Sequence, residues 1–394
     1  MSAGRLVVVG GCGHVGLPMA LVSAHRGRPT TIYDINEDAI ATVRAGTMPF
    51  LERGGETMLR EVLDAGTLEL TSDPACIATA EIVILVVGTP VDEYLNPKVQ
   101  VVFDAIEPCL PHFRDGQVLI LRSTVFPGVS RGVQDFFNER GLDVHVAFCP
   151  ERVAQGYALE EIQALPQIVS AFSDHGKQVA QAFFGSLAPQ VVELEPLEAE
   201  LAKLFTNAYR YIQFATANQF YMIATSQGAD YARIHDAITH DYPRLASYPG
   251  PGFAAGPCLL KDTMQLASFY DHNFSLGLAS VWVNEGLPDF LVRELERKHP
   301  LRELTVGILG MAFKANNDDK RDSLSYKLRK LLRLKARRTL CTDPYIEDPG
   351  FLPLERVLEQ ADVLIVGAPH REYRGLQAPP GKVEVVDVWG TLSR

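Results

Sequence analysis

The feature that most constrains the fold is an apolar strand that runs into a glycine-rich turn near the amino terminus. Residues 6–9 read Leu-Val-Val-Val, residues 10–16 read Gly-Gly-Cys-Gly-His-Val-Gly, and a helical run follows. A second apolar strand leads to Asp34, 18 residues after the last glycine of the turn. GxGxxG alone is a weak signal, but strand, GxGxxG, helix, strand and acid in this order predict a dinucleotide-binding sheet.

Each glycine of the turn has a physical task in such a fold. Gly11 allows the tight turn, Gly13 lets the backbone approach a pyrophosphate, and Gly16 lets the helix pack on the strand. The carboxylate of Asp34 can accept from a ribose 2′-hydroxyl and would repel a 2′-phosphate, so NAD is favoured over NADP. The predicted cofactor contacts here are Gly11, Gly13, His14, Val15, Gly16 and Asp34.

Three more apolar strands follow, and each ends in polar or turn residues. The three ends read Gly-Thr-Pro, Arg-Ser-Thr and Cys-Pro-Glu-Arg. Ligands of doubly wound sheets bind at the carboxyl ends of the strands, although each of these residues taken singly is also a common turn or cap residue. The predicted cofactor contacts are Gly88, Thr89, Pro90, Ser123 and Thr124, and the third end supplies Glu151 and Arg152.

A loop rich in glycine and proline, PGPGFAAGPCLLKD at residues 249–262, carries a cysteine. Such a density of glycine and proline predicts a shaped loop, and the apolar run from Leu259 predicts a helix. Cys258 then lies at a helix N-terminus, where the dipole and free N–H groups favour a thiolate, and Asp262 lies one turn along. The alternative is a buried structural cysteine in a turn.

A long helix is predicted over residues 198–228. Lys203, Asn207 and Arg210 fall at i, i+4 and i+7, and Asn218 continues this polar face. The flanking positions are largely apolar, so we expect no broad solvent face and an anionic or polar partner for the polar side chains. The alternative is the solvated face of a surface helix.

The remaining chain predicts a second, smaller α/β unit. Its first turn, after a strand at residues 304–310, lacks GxGxxG and carries Lys314 and Arg321, which could hold a diphosphate or a uracil-bearing group. The alternative is a charged surface loop. The predicted fold class is α/β, with two Rossmann-like doubly wound domains joined by a central helical domain that also supplies a subunit interface. The predicted domain boundaries are 1–195, 196–300 and 301–394.

Charge and cysteine content exclude several classes of partner. The formal net charge of −11 disfavours nucleic acid and anionic membranes. The six cysteines show no CxxC spacing, which predicts neither a disulfide framework nor a metal site and favours a reducing, cytoplasmic location. No apolar run approaches the length of a membrane span.

A nicotinamide domain together with an activated thiol predicts a defined chemistry. NAD can oxidise an alcohol to an aldehyde, which the thiol captures as a thiohemiacetal. Loss of a second hydride gives a thioester, and water then releases the acid.

Seven motifs, in order, resemble those of the nucleotide-sugar 6-dehydrogenases, the UDP-glucose, UDP-N-acetylhexosamine and GDP-mannose group. They are GCGHVGLP, VVGTPVDE, STVFPG, CPERV, AELAKLFTNAYRY, PGPGFAAGPCLLKD and GMAFKANNDDKRDS, and only the chain after about Gly350 matches loosely. Two positions depart from the usual family pattern, Gln219 after Asn218 and the Ala-Gly-Pro before Cys258.

The resemblance implies roles for individual residues. Cys258 would be the nucleophile, Lys203 and Asn207 would stabilise the developing oxyanion, and Asp262 and Thr124 would handle water and the proton. Glu151 would act as general acid or base in thioester hydrolysis. Lys314 and Arg321 would contact the nucleotide sugar, and Arg244 would reach the substrate of a partner subunit, which implies a homodimer. The remaining predicted contacts are Lys261 for the cofactor, and Arg152, Arg210, Gly252 and Phe253 for the substrate.

The predicted substrate is a UDP-sugar, with a slight preference for an N-acetylhexosamine. The sequence Asn-Ala-Tyr-Arg at residues 207–210 resembles the N-acetylhexosamine branch, whereas GPCLLKD resembles the UDP-glucose branch. Two other functions remain open. One is a two-electron dehydrogenase of the 3-hydroxyacid or 6-phosphogluconate type, and the other is a non-catalytic relative that binds NAD and a UDP-sugar.

Overall fold

The computed structural model describes residues 4–93, 96–377 and 379–392. The outermost residues of the expected first and third domains lie outside these ranges. The chain forms two compact units, Met1–Phe205 and Thr206–Arg394. The boundary between the units falls within one long helix, Pro196–Ser226.

The first unit contains an eight-stranded sheet in the order β3-β2-β1-β4-β5-β6-β7-β8. All neighbours are parallel except β6 and β7, which are antiparallel. The strands are β1 Leu6–Val9, β2 Thr30–Tyr33, β3 Leu68–Thr71, β4 Ile82–Leu85, β5 Val118–Leu121, β6 His145–Phe148, β7 Gln167–Ala171 and β8 Val191–Glu193.

Helices cover this sheet and lead into the second unit. They are α1 Gly16–His25, α2 Glu37–Arg44, α3 Gly55–Asp64, α4 Gln100–Ile106, α5 Val129–Asn138, α6 Ala158–Ala164, α7 Asp174–Gly185 and the shared helix α8 Pro196–Ser226. Two short 3₁₀ helices, Pro74–Thr79 and Glu107–His112, lie in the connections.

The first sheet is buried on both faces, as expected for parallel strands joined by helices. All four residues of β1 are nearly inaccessible, with exposed fractions of 0 to 5%. Leu6 and Val8 pack into one hydrophobic core, and Val7 and Val9 pack into the other. The continuous apolar run in the sequence therefore reflects a central strand, and β1 and β4 form the point at which the strand order reverses.

The second unit contains a four-stranded parallel sheet in the order β10-β9-β11-β12. Its strands are β9 Thr305–Leu309, β10 Arg338–Thr342, β11 Val363–Val366 and β12 Glu384–Val386. Its helices are α9 Tyr231–Thr239, α10 Leu259–Phe269, α11 Ser275–Lys298, α12 Leu324–Lys335 and α13 Leu354–Gln360. Short 3₁₀ helices occur at Pro243–Leu245, Leu301–Glu303 and Arg371–Tyr373.

The predicted fold class is confirmed: two doubly wound sheets, the first mainly parallel and the second wholly parallel, flank a helical region in the sequence. The helical region expected over residues 262–299 contains two helices, α10 and α11. Between them Asp271 and His272 have left-handed φ values of 48° and 57°. Aspartate and histidine tolerate this conformation better than most residues, so the chain can turn there without a glycine. Within the described ranges, no helix is long and apolar enough to cross a membrane.

Candidate active site

The glycine-rich turn after β1 leaves its backbone open at the amino end of α1. Gly10 has a φ of 71° and donates its N–H to Tyr33 O at 2.8 Å. A Cβ on Gly16 would lie 2.7 Å from Gly11 Cα, so only glycine lets α1 start this close to the turn. A Cβ on Gly13 would meet nothing nearer than 4.0 Å, so the surface there is open to a pyrophosphate.

The glycine of the turn with a left-handed φ is Gly10, while Gly11 serves a different purpose. A Cβ on Gly11 would lie 2.8 Å from Ile32 Cγ2, so this glycine is needed for close packing on β2. Val15 directly precedes α1. The ring of His14 packs against Phe50, with the ring centroids 4.0 Å apart.

Asp34, directly after β2, is held in place by backbone N–H groups. Its Oδ2 accepts from Cys12 N at 2.9 Å, and its Oδ1 accepts from Asn36 N at 3.0 Å. The side chain is partly exposed, and each carboxylate oxygen keeps a further lone pair. An oriented carboxylate beside an open glycine turn fits the ribose and pyrophosphate of NAD, the cofactor predicted from the sequence.

Two hydroxyl groups join the carboxyl ends of β4 and β5. Ser123 Oγ donates to Val87 O at 2.7 Å and accepts from the Val87 N–H at 2.7 Å. Thr89 Oγ1 donates to Thr124 O at 2.6 Å. The structure therefore brings three of the predicted cofactor residues together, and the Ser123 hydroxyl holds the strand ends to each other. The exposed neighbours on the β4 side are Gly88 and Pro90.

Arg122, the first residue after β5, is a fully buried guanidinium at the same edge of the sheet. Nε and Nη2 donate to Glu151 Oε2 at 3.0 and 2.6 Å, and Nη1 donates to Cys149 O at 3.0 Å. Glu151 Oε1 accepts from the backbone N–H groups of Arg152 and Val153 at 2.7 and 3.0 Å. Buried charges require this degree of pairing, and each Glu151 oxygen accepts two of these hydrogen bonds.

Arg152 extends this cluster toward β7. Its Nη2 donates to Pro166 O. Burial and the nearby charge of Arg122 lower the pKa of Arg152. The acid–base role of Glu151 and the substrate contact of Arg152 stay predictions, since the contacts recorded here hold the turn after β6.

In the second unit, Cys258 directly precedes α10. The Asp262 N–H donates to Cys258 O at 2.8 Å, so Cys258 stands at the N-terminus of α10, where the first N–H groups of a helix have no partner within the helix. Asp262 is fully buried. Its Oδ2 accepts from Asn207 Nδ2 at 2.5 Å, and its Oδ1 lies 3.1 Å from Lys261 Nζ. A carboxylate with amide and ammonium partners is therefore fixed one turn from the thiol.

A cation lies near the same cysteine. Arg321 donates from Nε and Nη2 to Asp319 Oδ2 at 3.0 and 2.6 Å. The pKa of Arg321 is raised, chiefly by these hydrogen bonds and also by the negative charge that Cys258 would carry as a thiolate. A cation within electrostatic range of a thiol favours its ionised form. Arg321, expected at the nucleotide sugar, thus also has an electrostatic interaction with Cys258.

The loop before Cys258 packs closely on the loop between β9 and α12. Gly256 has a φ of 101°, and a Cβ there would lie 2.4 Å from the ring of Phe313. Gly256 N also donates to Asp322 O at 3.4 Å. The glycine therefore lets the two loops touch within the second unit, which brings Arg321 toward the cysteine.

Exposure separates Cys258 from the other cysteines. All six cysteines lie in the described part of the chain, and among them only Cys258 is exposed. Burial raises the pKa of Cys76 and Cys341 to about 11, and that of Cys12, Cys109 and Cys149 to about 12. The prediction that Cys258 begins a helix is confirmed, and the alternative of a buried structural cysteine is not supported.

The polar residues that share one face of α8 by their spacing differ in burial. Lys203 and Asn207 are 9% and 4% exposed, whereas Arg210 is exposed. In the single chain α8 has an exposed face, on which Phe205 and Tyr209 are 53% and 61% exposed. Periodicity gives the side of the helix on which a side chain lies, but not which element packs over that side. The apolar residues beside Lys203 and Asn207 therefore did not have to be buried.

Asn218 holds the start of the loop that leads to Cys258. Its Nδ2 donates to Gly252 O at 2.9 Å and to Asn284 Oδ1 at 2.9 Å, and its Oδ1 accepts the Gly252 N–H at 2.8 Å. Phe253 is 4% exposed and packs in the core that includes Leu287. The substrate contacts predicted for Gly252 and Phe253 stay predictions, because the Gly252 peptide groups and the Phe253 ring already have partners.

Two predicted cationic contacts lie on separate loops of the second unit. Arg244 is exposed, and its Nη1 donates to Tyr242 OH at 3.0 Å. Lys314 Nζ lies 5.7 Å from the ring centroid of Phe313. The substrate contacts predicted for Arg244 and Lys314 stay predictions.

Sequence reasoning missed three residues that organise these sites: Arg122, Asp319 and Asn284. Arg122 follows a predicted strand directly, and a charged residue at the end of a buried strand could have indicated it. Asp319 stands two residues before Arg321, which is also a readable signal. Asn284 carried no such signal, because its partner Asn218 is 66 residues away.

Three domain models of one family match the chain in order. These are the NAD binding domain over residues 5–185, the central domain over 197–285 and the UDP binding domain over 307–393 of the UDP-glucose/GDP-mannose dehydrogenase family. A UDP-N-acetyl-D-mannosamine dehydrogenase from Pyrococcus horikoshii is 29% identical over 383 residues, which cover 94% of this chain and 90% of that protein.

Solved structures of the same kind are similar over the full chain. The structure of UDP-D-ManNAc dehydrogenase from Pyrococcus horikoshii superposes with a TM-score of 0.90 at 26% identity, covering 98% of this chain and 100% of that one. A UDP-glucose dehydrogenase from Pyrobaculum islandicum superposes with a TM-score of 0.88 at 27% identity, covering 99% and 96%. The chain therefore belongs to the UDP-glucose/GDP-mannose dehydrogenase family and is an NAD-dependent dehydrogenase of nucleotide sugars.

Proposed function

We propose that this protein oxidises the C6 hydroxymethyl group of a UDP-hexose to the carboxylate, through intermediates covalently bound to Cys258. The observation that carries the proposal is the environment of this thiol. It is exposed at the first turn of α10, Arg321 is within electrostatic range, and the buried Asp262 carboxylate lies one turn along. A helix N-terminus and a cation both favour the thiolate that such chemistry requires.

The first step converts the primary alcohol to an aldehyde. When bound, NAD would supply the acceptor for the hydride from C6, and the hydroxyl proton would leave to a base. Lys203 and Asn207, one turn apart on α8, supply donors for the developing oxyanion. The Asn207 amide has two N–H groups and donates one of them to Asp262, so the second is available. Loss of one such donor typically slows a reaction by about 10²–10³-fold.

The second step forms and breaks the bond to sulfur. The Cys258 thiolate adds to the aldehyde carbon, and the oxygen takes up a proton to give a thiohemiacetal. Loss of that proton and of a second hydride, for which a second NAD would be the acceptor, gives a thioester. Water adds to the thioester carbon, the C–S bond breaks, and the acid and the free thiol are released. Each turnover thus removes four electrons and yields two NADH.

Asp262 and Thr124 are assigned to the water and the proton. Asp262 fits this task because its carboxylate is fixed one turn from the thiol by Asn207 and Lys261. Glu151 stays a prediction as acid or base, since Arg122 and two backbone N–H groups already occupy both of its oxygens.

The test is the number of NADH produced per UDP-sugar consumed, for the wild type and for Cys258→Ser. We expect two NADH for the wild type and a loss of acid formation on the order of 10³-fold or more in the variant. Cys76→Ser is the matched control, because burial raises the pKa of that thiol to about 11 and keeps it protonated. One NADH, unchanged by Cys258→Ser, would instead indicate a two-electron dehydrogenase.

The same assay identifies the sugar. We propose a UDP-N-acetylhexosamine, supported by residues 207–210 and by the relatives that act on N-acetylmannosamine. The similarity to a UDP-glucose dehydrogenase supports UDP-glucose as the second candidate. UDP-ManNAc, UDP-GlcNAc and UDP-glucose are compared at equal concentration, and exclusive use of UDP-glucose would contradict the proposal. Tight NAD binding with no turnover of any of these sugars would favour a non-catalytic relative.

We further propose that two copies of the chain associate through α8. Phe205, Tyr209, Phe220 and Ile223 are each about half exposed, at 53, 61, 47 and 53%, and they fall within a stripe about 60° wide on this helix. Exposed apolar stripes of this kind commonly mark subunit interfaces. The exposed Arg244 is assigned to the substrate of the partner subunit. The six free thiols suit a reducing compartment, and we place the enzyme in the cytoplasm.

A further inference from the structure

His370, which follows β11, is a buried imidazole with a defined tautomer. Its side chain is 0% exposed. Nδ1 lies 2.9 Å from the backbone nitrogen of Asn316, which can only donate, so Nδ1 is an acceptor. The proton is therefore on Nε2, which lies 3.1 Å from Asp343 Oδ2 and donates to it. The imidazole links a buried carboxylate to the backbone of a distant loop.

Asp343 joins the turns around the second sheet. Its Oδ2 accepts from Met311 N and Ala312 N at 2.6 and 2.9 Å, and its Oδ1 accepts from Tyr345 N and Ile346 N at 2.8 and 3.1 Å. Burial alone would raise the pKa of Asp343, but the hydrogen bonds from His370 and from backbone N–H groups outweigh it and lower the pKa. The group is thus a fully paired, buried carboxylate.

The loop that His370 holds is the connection between β9 and α12, residues 310–323. At its tip, Asn316 has a left-handed φ of 52°, a conformation that asparagine adopts more readily than most residues. Besides donating its N–H to His370, Asn316 accepts from Arg371 N through Oδ1 at 2.9 Å. Two hydrogen bonds, to His370 and to its neighbour Arg371, therefore hold the tip in place.

The first unit has an acid at the topological position equivalent to Asp343, but no histidine covers that acid. Gly10 N donates to Tyr33 O at 2.8 Å, and Gly310 N donates to Thr342 O at 2.9 Å, so the turns after β1 and β9 begin alike. Asp34 follows β2 and stays partly exposed, whereas Asp343 follows β10 and is buried. In the second unit, the acid is unavailable to a ligand and serves the loop instead.

We propose that His370 is a positioning residue for the nucleotide sugar, because it anchors residues 310–323 and with them Lys314 and Arg321. The inference rests on the proposed function, in which these two cations contact the substrate. The same loop carries Phe313, whose ring packs against Gly256 in the loop that leads to Cys258. Displacement of the anchored tip would therefore weaken substrate binding.

Two isosteric substitutions separate the two hydrogen bonds of the imidazole. His370→Asn places an amide oxygen near the position of Nδ1 and keeps an acceptor for Asn316. His370→Gln places an amide nitrogen near the position of Nε2 and keeps a donor for Asp343. If anchoring the loop is the task, His370→Gln raises the KM for the UDP-sugar about tenfold, the scale of one lost hydrogen bond, with kcat within about twofold. His370→Asn keeps a KM near that of the wild type.

Measuring Tm by thermal unfolding distinguishes loop anchoring from a purely structural role of His370. His370→Asn removes a partner of the buried Asp343, so its Tm falls more than that of His370→Gln, which is the opposite order to the KM effect. An unchanged KM in His370→Gln overturns the inference. So does a KM that rises in the same order as the loss of Tm, since that describes general destabilisation.

Further variants keep the test independent of folding and of the proposed function. Asn316→Gly removes the Oδ1 contact to Arg371 at an exposed position whose φ suits glycine, and we expect a KM several-fold higher. No change in this KM counts against the anchor. Lys314→Ala and Arg321→Ala are measured for UDP affinity by calorimetry. If both variants bind UDP more weakly while His370→Gln binds it like the wild type, only the proposed role of His370 is overturned. If neither variant changes UDP affinity, the proposed substrate contacts of Lys314 and Arg321 are overturned as well.

Discussion

At the scale of single residues, the six cysteines differ in the two properties that govern thiol reactivity. Cys258 is exposed beside a helix N-terminus, whereas burial raises the pKa of the other five to about 11 or 12. At neutral pH a thiol with such a pKa carries a very small thiolate fraction, and the thiolate is the reactive form. Position in the fold, not residue type, therefore decides which thiol can react as a thiolate.

This difference predicts the order of alkylation. Limiting iodoacetamide at pH 7 is expected to modify Cys258 first, by roughly 10²-fold over any other cysteine, as read by peptide mass spectrometry. The thiolate fraction of the buried thiols rises with pH, so their labelling should become appreciable only as the pH approaches 11. Cys258→Ser should abolish the fast label, and early modification of the half-buried Cys76 would contradict the assignment.

Charged residues show the same dependence on surroundings. Asp34 and Asp343 follow equivalent strands, yet one stays available to a ribose and the other is buried under His370. The first role was predictable from the spacing of a local motif. The second was not, because His370 is 27 residues from its partner and no sequence pattern relates them.

At the scale of elements, the loops at residues 249–258 and 310–323 depend on their glycines for contact. Gly256 combines a φ of 101° with the closest approach to Phe313, while Gly250 has open space around its Cβ position. The density of glycine and proline predicted a shaped loop here, and a helix from Leu259, which the structure has as α10 Leu259–Phe269. Which glycine was required could not be read from the sequence, because Phe313 lies 57 residues further along.

Gly256→Ala is therefore expected to impair turnover. The left-handed φ costs about 1–2 kcal/mol for a residue with a Cβ, and the displaced Phe313 ring adds to this, so kcat/KM should fall about tenfold or more. Steady-state kinetics on the UDP-sugar provide the measurement, and NAD affinity should be unchanged. Gly250→Ala is the matched control with near wild-type kinetics. Equal effects of the two substitutions would show that close packing on Phe313 is not the cause.

Helix α8 illustrates where periodicity stops being informative. Its length was predicted to within two residues at each end, as Pro196–Ser226 against 198–228. The polar spacing correctly placed Lys203 and Asn207 at buried positions, but Arg210 is exposed and so are several large apolar residues. The cover of each face depends on other elements, so the sequence of the helix alone does not specify it.

At the scale of the whole molecule, the exposed stripe of α8 leads to a prediction about assembly. Two lysines at Phe220 and Ile223 would place charge in a buried interface, so Phe220→Lys/Ile223→Lys should shift the protein from dimer to monomer in light scattering coupled to gel filtration. Leu334→Lys is the matched control, since Leu334 is 78% exposed on α12. A wild-type monomer, or a dimer that survives the double substitution, would contradict the proposed interface.

The sequence by itself determined the class of sheet, the dinucleotide turn, the NAD preference and the position of Cys258 at a helix start. These follow from local patterns of glycine, apolar residues and caps, which act over a few residues along the chain. Only the tertiary structure decided which carboxylates are paired with buried donors, which glycines allow two loops to touch and which side chains hold each loop in place. Arg122 with Glu151, Asn207 with Asp262 and His370 with Asp343 are 29, 55 and 27 residues apart. Their pairing depends on how whole elements pack, and that is not encoded in any short stretch of sequence.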